Sequence, residues 1–209
     1  MGSIFYIFGK SASGKDTIYK RLLEDEALEL KSIVLYTTRP QRYGEKDGVT
    51  YHFSTEEEFQ SLRKKGIIVE DREYHTVHGL WRYFTVEDSS VDIGHNDYLV
   101  TGVLDSFIST RDYFEKRYNA PERVVPIYIE VEDGVRLERA LLREKRPENG
   151  KYKEMCRRFL ADDEDFSEEK LQKARITRRF ENDDLDRTVN EIKEYILSVR
   201  KQCRGQKGM

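Results

Sequence analysis

The chain lacks what would cross-link it, anchor it in a membrane or wrap it around nucleic acid. Only two cysteines occur among 209 residues, Cys156 and Cys203, far apart and in no metal-ligand or redox spacing. A disulfide framework is therefore not expected, and a reduced cytoplasmic compartment is. The histidines (His52, His75, His78 and His95) are scattered and form no zinc pattern. No apolar run approaches the length of a membrane span; Ile4–Phe8 is far too short. It also lacks the basic flank and cleavage site of a signal peptide, and Tyr6 stands where a myristoylation signal wants Ser or Thr. Nor does one charge dominate. The 37 Lys and Arg face 40 Asp and Glu, a net charge of -3 spread in mixed order. A dedicated nucleic-acid surface needs a clear basic excess, so neither nucleic acid nor membrane is an expected partner.

What is present is alternation. Short apolar runs take turns with longer helical patterns, the signature of a parallel sheet with crossover helices. Strands are expected at 4–8, 33–36, 67–70, 98–103, 124–130 and 176–180, and helices at 15–25, 55–65, 104–117, 133–146, 151–161 and 185–200. The last helix is the plainest: Leu185, Val189, Ile192, Ile196 and Val199 recur at helical spacing. Two stretches read as insertions. Residues 37–95 are polar, aromatic and turn-rich, and residues 143–165 carry dense mixed charge, as substrate clamps and lids do. The expectation is one domain with its core in 1–36, 97–142 and 166–200, an acceptor-binding insertion at about 37–95 and a lid at about 143–165.

Gly9-Lys10-Ser11-Ala12-Ser13-Gly14-Lys15 matches G-x-x-x-x-G-K directly after the first apolar strand. Small residues let the backbone curl so that several N–H groups face one phosphate, and the next helix adds its positive end. Lys15 then reaches the outer phosphates as a compact charge. The bland alternative, a Gly/Ser turn between strand and helix, does not need the full spacing. The motif points to an α/β P-loop NTPase fold of three layers. After Lys15 the motif wants a hydroxyl for magnesium; this chain has Asp16, with Thr17 one place later. A carboxylate is also a hard oxygen ligand, so Asp16 is the candidate metal ligand, and strict Mg²⁺ dependence is expected.

Two further clusters are basic. Arg39 and Arg42 offer two guanidinium forks three residues apart, with the Tyr51 hydroxyl beside them, a set suited to a phosphate group. Arg139, Arg143 and Arg146 fall on one helical face, with Leu137 and Leu141 expected to anchor that helix; Arg157 and Arg158 follow. The ordinary readings are a charged loop with turn glycines and a solvated face paired with Glu138, Glu144 and Glu148.

The stretch Thr37-Thr38-Arg39-Pro40-Gln41-Arg42, then Gly44-Glu45, Gly48, Tyr51 and Phe53, resembles the guanylate kinase family pattern T-T-R-x-P-R-x-G-E-x-x-G-x-x-Y-x-F, with the proline moved one place. Asn182-Asp183-Asp184-Leu185 is similar to the family's N-D-D-L turn before its final helix. The resemblance runs from Gly9 to about residue 199. It implies ATP binding by Gly9–Thr17 and Asn182, and catalytic charge from Lys15, Arg139, Arg143 and Arg158, with Phe159 replacing the leucine after the last. It implies a GMP phosphate held by Arg39, Arg42 and Tyr51, and guanine read by Glu70, with Tyr83 and Thr85 from a displaced Y-G-T segment. Leu35 replaces an expected serine. Leu99–Asp105 lacks the family's I-D-x-Q-G, and Thr101 stands where an acidic group is lost.

The implied reaction is ATP-dependent, Mg²⁺-requiring phosphorylation of GMP to GDP, by a monomer or homodimer. Two alternatives stay open. One is a related kinase with another phosphorylated acceptor, such as a ribose bisphosphate phosphokinase. The other is a non-catalytic module of this family, which typically lacks the phosphate loop.

Overall fold

The computed structural model describes residues 1–76, 79–88, 91–145 and 151–205. Its first strand, β1 (Ile4–Phe8), is apolar at every position and buried at every position, as a strand covered on both faces must be. It runs into helix α1 (Lys15–Leu23), which turns Ile18 and Leu22 inward. The strands that follow are β2 (Lys31–Ser32), β3 (Tyr36–Thr37) and β4 (His52–Phe53), then helix α2 (Glu56–Lys64) and the long pair β5 (Ile68–Thr76) and β6 (Gly79–Val86). After these come β7 (Tyr98–Gly102), α3 (Leu104–Tyr118), β8 (Val124–Glu130), α4 (Asp133–Glu144), α5 (Tyr152–Asp165), α6 (Glu168–Lys173), β9 (Arg179–Glu181) and α7 (Leu185–Gly205). The larger sheet has the order β2-β7-β1-β8-β9, a parallel central sheet flanked by helices, as the alternation predicted. Non-sequential neighbours in that order require crossover helices between strands.

The chain forms two compact units. One comprises Phe5–Leu30, Leu99–Leu104 and Val125–Met209. Its core joins Phe5 and Ile7 of β1, Leu99 of β7, and Val125, Ile127 and Ile129 of β8 to Ile18 and Leu22 of α1 and Val189, Ile192 and Ile196 of α7. Each such side chain contributes about 1.5–3 kcal/mol on burial. The face of α7 predicted from spacing alone is the face that is buried.

The other unit comprises Met1–Ile4, Lys31–Tyr98 and Asp105–Val124. Its sheet has the order β4-β3-β6-β5, with β5 and β6 antiparallel from Ile68↔Val86 to Thr76↔Gly79. Phe59, Phe84 and Val86 form a small core with Tyr36, Leu62, Ile67 and Ile68 around it. Helix α2 starts at a capping box: Thr55 accepts from the Glu58 N–H and the Glu58 carboxylate accepts from the Thr55 N–H.

Several boundaries differ from the expectation. The strand at 67–70 runs to Thr76, β4, β6 and α6 are additional, residues 33–35 of the strand predicted at 33–36 lie between β2 and β3 and are not strand, and that at 176–180 begins at Arg179. The strand β6 reads Gly-Leu-Trp-Arg-Tyr-Phe-Thr-Val, and the buried charge at Arg82 breaks its hydrophobic pattern. Among the described residues no helix is long and apolar enough to cross a membrane.

Candidate active site

The phosphate loop occupies the turn between β1 and α1, and its glycines are there for steric reasons. A Cβ on Gly9 would lie 2.5 Å from the Ile129 carbonyl oxygen, inside any permissible contact. Gly14 caps α1 with φ of 85°, and a Cβ there would lie 2.4 Å from Asn182 Nδ2. That amide occupies the space instead: Asn182 Nδ2 donates to the Ser13 carbonyl at 2.8 Å, and the Asn182 carbonyl accepts from Arg139 Nη2 at 3.0 Å. Asn182 thus ties the loop to the helix that carries the arginines. Ala12 takes a left-handed φ of 63°, which a side-chain-bearing residue rarely adopts.

The loop opens on a cleft of about 290 Å³ lined by Ser11, Ala12, Gly14, Lys15, Asp16, Thr17, Arg139, Arg143 and Arg158. Three arginines from two helices and one lysine therefore face one concavity. Arg158 also donates to Glu154, as Arg157 does, and these two guanidinium groups pull the Glu154 carboxyl down to about 2. Arg146 lies outside the described residues, as do Glu148 and His78. The Lys10 ammonium bonds Asp133 at 3.3 Å and Asp163 at 2.8 Å, and Lys10 is not among the residues that line the cleft.

The anchoring of α4 also differs from the expectation. Leu137 and Leu141 remain 42% and 36% exposed, while Arg136, Ala140 and Glu144 face inward. Polar bonding holds this helix in place of an apolar stripe. Arg136 is wholly buried and donates to the Ser11 carbonyl and to Asp133 and Asp162. Sequence reading missed Arg136, although it lies three residues before Arg139 and seven before Arg143.

In the other unit, Arg39 is buried in the segment that follows β3. Its Nη1 and Nη2 grip the two Glu45 oxygens at 3.0 and 2.7 Å, its Nε donates to the Tyr83 hydroxyl at 3.1 Å, and its guanidinium lies 5.4 Å from the Tyr51 ring centre. Tyr51 meets Tyr83 edge-on at 5.6 Å. The Arg42 N–H also donates to Glu45, while its side chain is exposed. Arg39, Tyr51 and Tyr83 are thus brought together.

Arg39 and the Arg42 N–H hold the Glu45 carboxyl below its ordinary 4.5. A carboxylate with a lower pKa in the folded chain stabilises it fully above the unfolded value and loses that contribution as pH falls through the folded one. The bridge is thus complete at neutral pH and fades below about 4.5. Thermal melts from pH 7 to 3 should show Glu45→Gln losing part of the wild-type pH dependence below that point. Identical profiles would count against the bridge.

Glu70 and Thr85 face each other across β5 and β6. The Thr85 hydroxyl donates to Glu70 Oε1 at 2.9 Å, and Glu70 is 4% exposed. The second oxygen, Oε2, accepts no hydrogen bond among the described residues and lies 3.4 Å from Arg72 Nε. On the opposite side of β6 from Tyr83, Arg82 is buried against the Phe59 ring and bonds Glu56 and Glu73. Sequence reading missed it too. Thr101, in the unit of the phosphate loop, lies on β7 one residue before its end, with a buried hydroxyl that has no partner among the described residues.

The sequence model of guanylate kinases matches residues 2–199. The chain belongs to the guanylate kinase family.

Guanylate kinases from Schizosaccharomyces pombe and Oceanobacillus iheyensis are among its relatives. The first is 55% identical over 56 residues, 27% of this chain and 28% of that protein. The second is 42% identical over 73 residues, 35% of each. The chain thus spans about a third of the length of the curated relatives it matches. The fold is similar to the crystal structure of guanylate kinase from Anaplasma phagocytophilum, with TM-score 0.60 and 22% identity over 94% of this chain and 85% of that one.

Against the family pattern, Asp16 is the departure that bears on metal. Its carboxylate is 81% exposed at the cleft, 3.6 Å from Lys15 Nζ, with Thr17 beside it. No group of three or more His, Cys, Asp or Glu among the described residues forms a metal cage. Magnesium in phosphoryl-transfer sites needs no such cage, since one or two oxygen ligands, substrate phosphates and water complete its shell. The donor set here fits that mode of binding.

Proposed function

We propose that this guanylate kinase family member transfers the γ-phosphoryl group of ATP to GMP, giving ADP and GDP. The observation that carries the acceptor is Glu70. A buried carboxylate, oriented by Thr85 and with one oxygen free of hydrogen bonds, offers acceptors for the ring N–H and exocyclic amine of guanine. Adenine lacks that donor pair, so a nucleobase that leaves Glu70 unsatisfied is rejected. The donor cleft provides the other half, with Lys15, Arg139, Arg143 and Arg158 converging on the triphosphate. The acceptor phosphate is already nucleophilic, so placement and charge neutralisation do most of the work. Arg39, Arg42 and Tyr51 hold that phosphate, with Tyr83 steadying Arg39 from behind. Asp16 and Thr17 would hold Mg²⁺, which when bound neutralises charge between the outer phosphates.

A coupled ADP-release assay across nucleoside monophosphates tests the reading. GMP should be the preferred acceptor; higher turnover with AMP or UMP would overturn the base assignment. Arg72 beside Glu70 favours a second reading, in which a cation satisfies the carboxylate and the acceptor is a phosphorylated sugar. A ribose bisphosphate in the same assay separates the two.

Metal dependence follows from Asp16. Without a cation, its charge opposes the incoming phosphates. Calorimetry should show ATP binding weakened at least about tenfold in excess chelator relative to excess Mg²⁺. Asp16→Asn should narrow that gap, and equally tight binding in both conditions would remove the metal role.

A further inference from the structure

We propose that Arg136 and Asp162 are positioning residues for the phosphate loop, gripping Ser11 from both sides and tying α4 and α5 to the curl that receives ATP. This rests on reading residues 9–15 as the ATP loop. The contacts form a closed ring. The Ser11 N–H donates to Asp162 Oδ2 at 2.8 Å, and the Ser11 hydroxyl to Oδ1 at 3.3 Å. The Ser11 carbonyl accepts from Arg136 Nη1 at 3.0 Å, and the same nitrogen reaches Asp162 Oδ2 at 3.2 Å. All three polar groups of one loop residue are thereby committed.

Arg136 is held as tightly as the loop it serves. It is 0% exposed, its Nε and Nη2 donate to Asp133 at 2.9 and 2.6 Å, and its guanidinium lies 4.6 Å from the Phe159 ring centre. Burying an ion pair is weak evidence for stability, because apolar residues of similar volume often serve as well. What apolar residues cannot supply is a donor for the Ser11 carbonyl and an acceptor for its N–H. The clamp also stands next to the strained Ala12, and left-handed residues persist only where the surroundings over-determine them. Asp133 and Asp163 extend the grip to Lys10.

The same helices supply the cleft's cations. Asp162 lies one turn beyond Arg158 on α5, and Arg136 lies one turn before Arg139 on α4. Loop shape and arginine placement are therefore set by the same two elements. Because the Ser11 amide is directed at Asp162, the nucleotide is received by the amides that follow it.

The test compares Asp162→Ala, Asp162→Asn and the double variant Asp162→Ala/Arg136→Met with the wild-type protein. Calorimetry gives the ATP affinity with Mg²⁺, and steady-state assays give the KM for each substrate. Asp162→Ala should weaken ATP binding about tenfold while the acceptor KM changes less than about twofold. Asparagine, whose carbonyl still accepts from the Ser11 N–H, should recover most of the loss. The double variant leaves no unpaired buried charge. If Asp162→Ala alone fails to fold, the double variant should still show the selective loss of ATP affinity. Unchanged ATP affinity in folded variants overturns the proposal. So does tighter binding, which would make Asp162 a competitor of the phosphate, or a parallel loss for both substrates, which would make the pair structural only. If the wild-type protein binds no ATP with Mg²⁺, the phosphate-loop reading itself falls, and this inference with it.

Discussion

Lys15→Met is expected to lower kcat by about 10²–10³-fold, the range seen when one preorganised charge is removed from a transition state. Methionine keeps the unbranched reach of lysine but brings no charge. Lys15 lines the cleft, outside the apolar core of its unit, so the variant should fold with a near wild-type melting temperature. The loss should fall mainly on turnover, because charge on the transferring phosphoryl is redistributed in the transition state. Lys15→Arg should rescue little: a planar fork cannot replace a compact ammonium in a curl closed by Gly14 and Asn182. Single-turnover kinetics with saturating ATP provides the measurement. A kcat within about threefold of wild type would remove the phosphate loop from catalysis.

Glu70→Ala is expected to reduce kcat/KM for GMP by roughly 100-fold and to leave AMP turnover nearly unchanged. Two hydrogen bonds to a charged acceptor account for that size, at about 1.5–3 kcal/mol each before partial compensation by water. The substitution also strips the Thr85 hydroxyl of its partner in a buried position, so some destabilisation is expected. Glu70→Gln controls for this, because its carbonyl still accepts from Thr85 while its amide presents a donor where guanine presents donors. Glu70→Gln should therefore fold like wild type and still discriminate poorly. If both variants leave the GMP KM untouched, guanine is not read at Glu70, and the Arg72 contact points to a phosphorylated sugar instead.

Much of the architecture was legible before the structure. The strand β1, the turn after it and helix α1 are contiguous, and each obeys local rules: a fully apolar run, glycines where a Cβ has no room, then a helical pattern. The buried face of α7 followed from spacing because an apolar stripe of that width has only one way to face a core. Within the loop between β3 and β4, Arg39 and Tyr51 are brought together by nearby chain, and the Glu45 partner lies six residues from Arg39.

Other residues resisted the same logic. Leu137 and Leu141 form a stripe on α4 at helical spacing, yet the helix turns that stripe toward solvent. Arg136 and Arg82 carry permanent charges, so sequence places them outside; both are buried because carboxylates from elsewhere in the chain receive them. The β5–β6 hairpin escaped notice for the related reason that Arg82 interrupts its pattern.

The sequence by itself determined the phosphate loop, the parallel α/β architecture and the last helix, since backbone sterics and hydrophobic periodicity act between residues a few positions apart. Tertiary structure alone decided that Arg136 meets Ser11, that Asp162 meets the same residue, and that Lys10 turns away toward Asp133. Those partners are separated by 125, 151 and 123 positions. A buried charge is tolerated only where an opposite charge and a hydrogen-bond acceptor arrive together, and no local pattern records an arrival from so far along the chain.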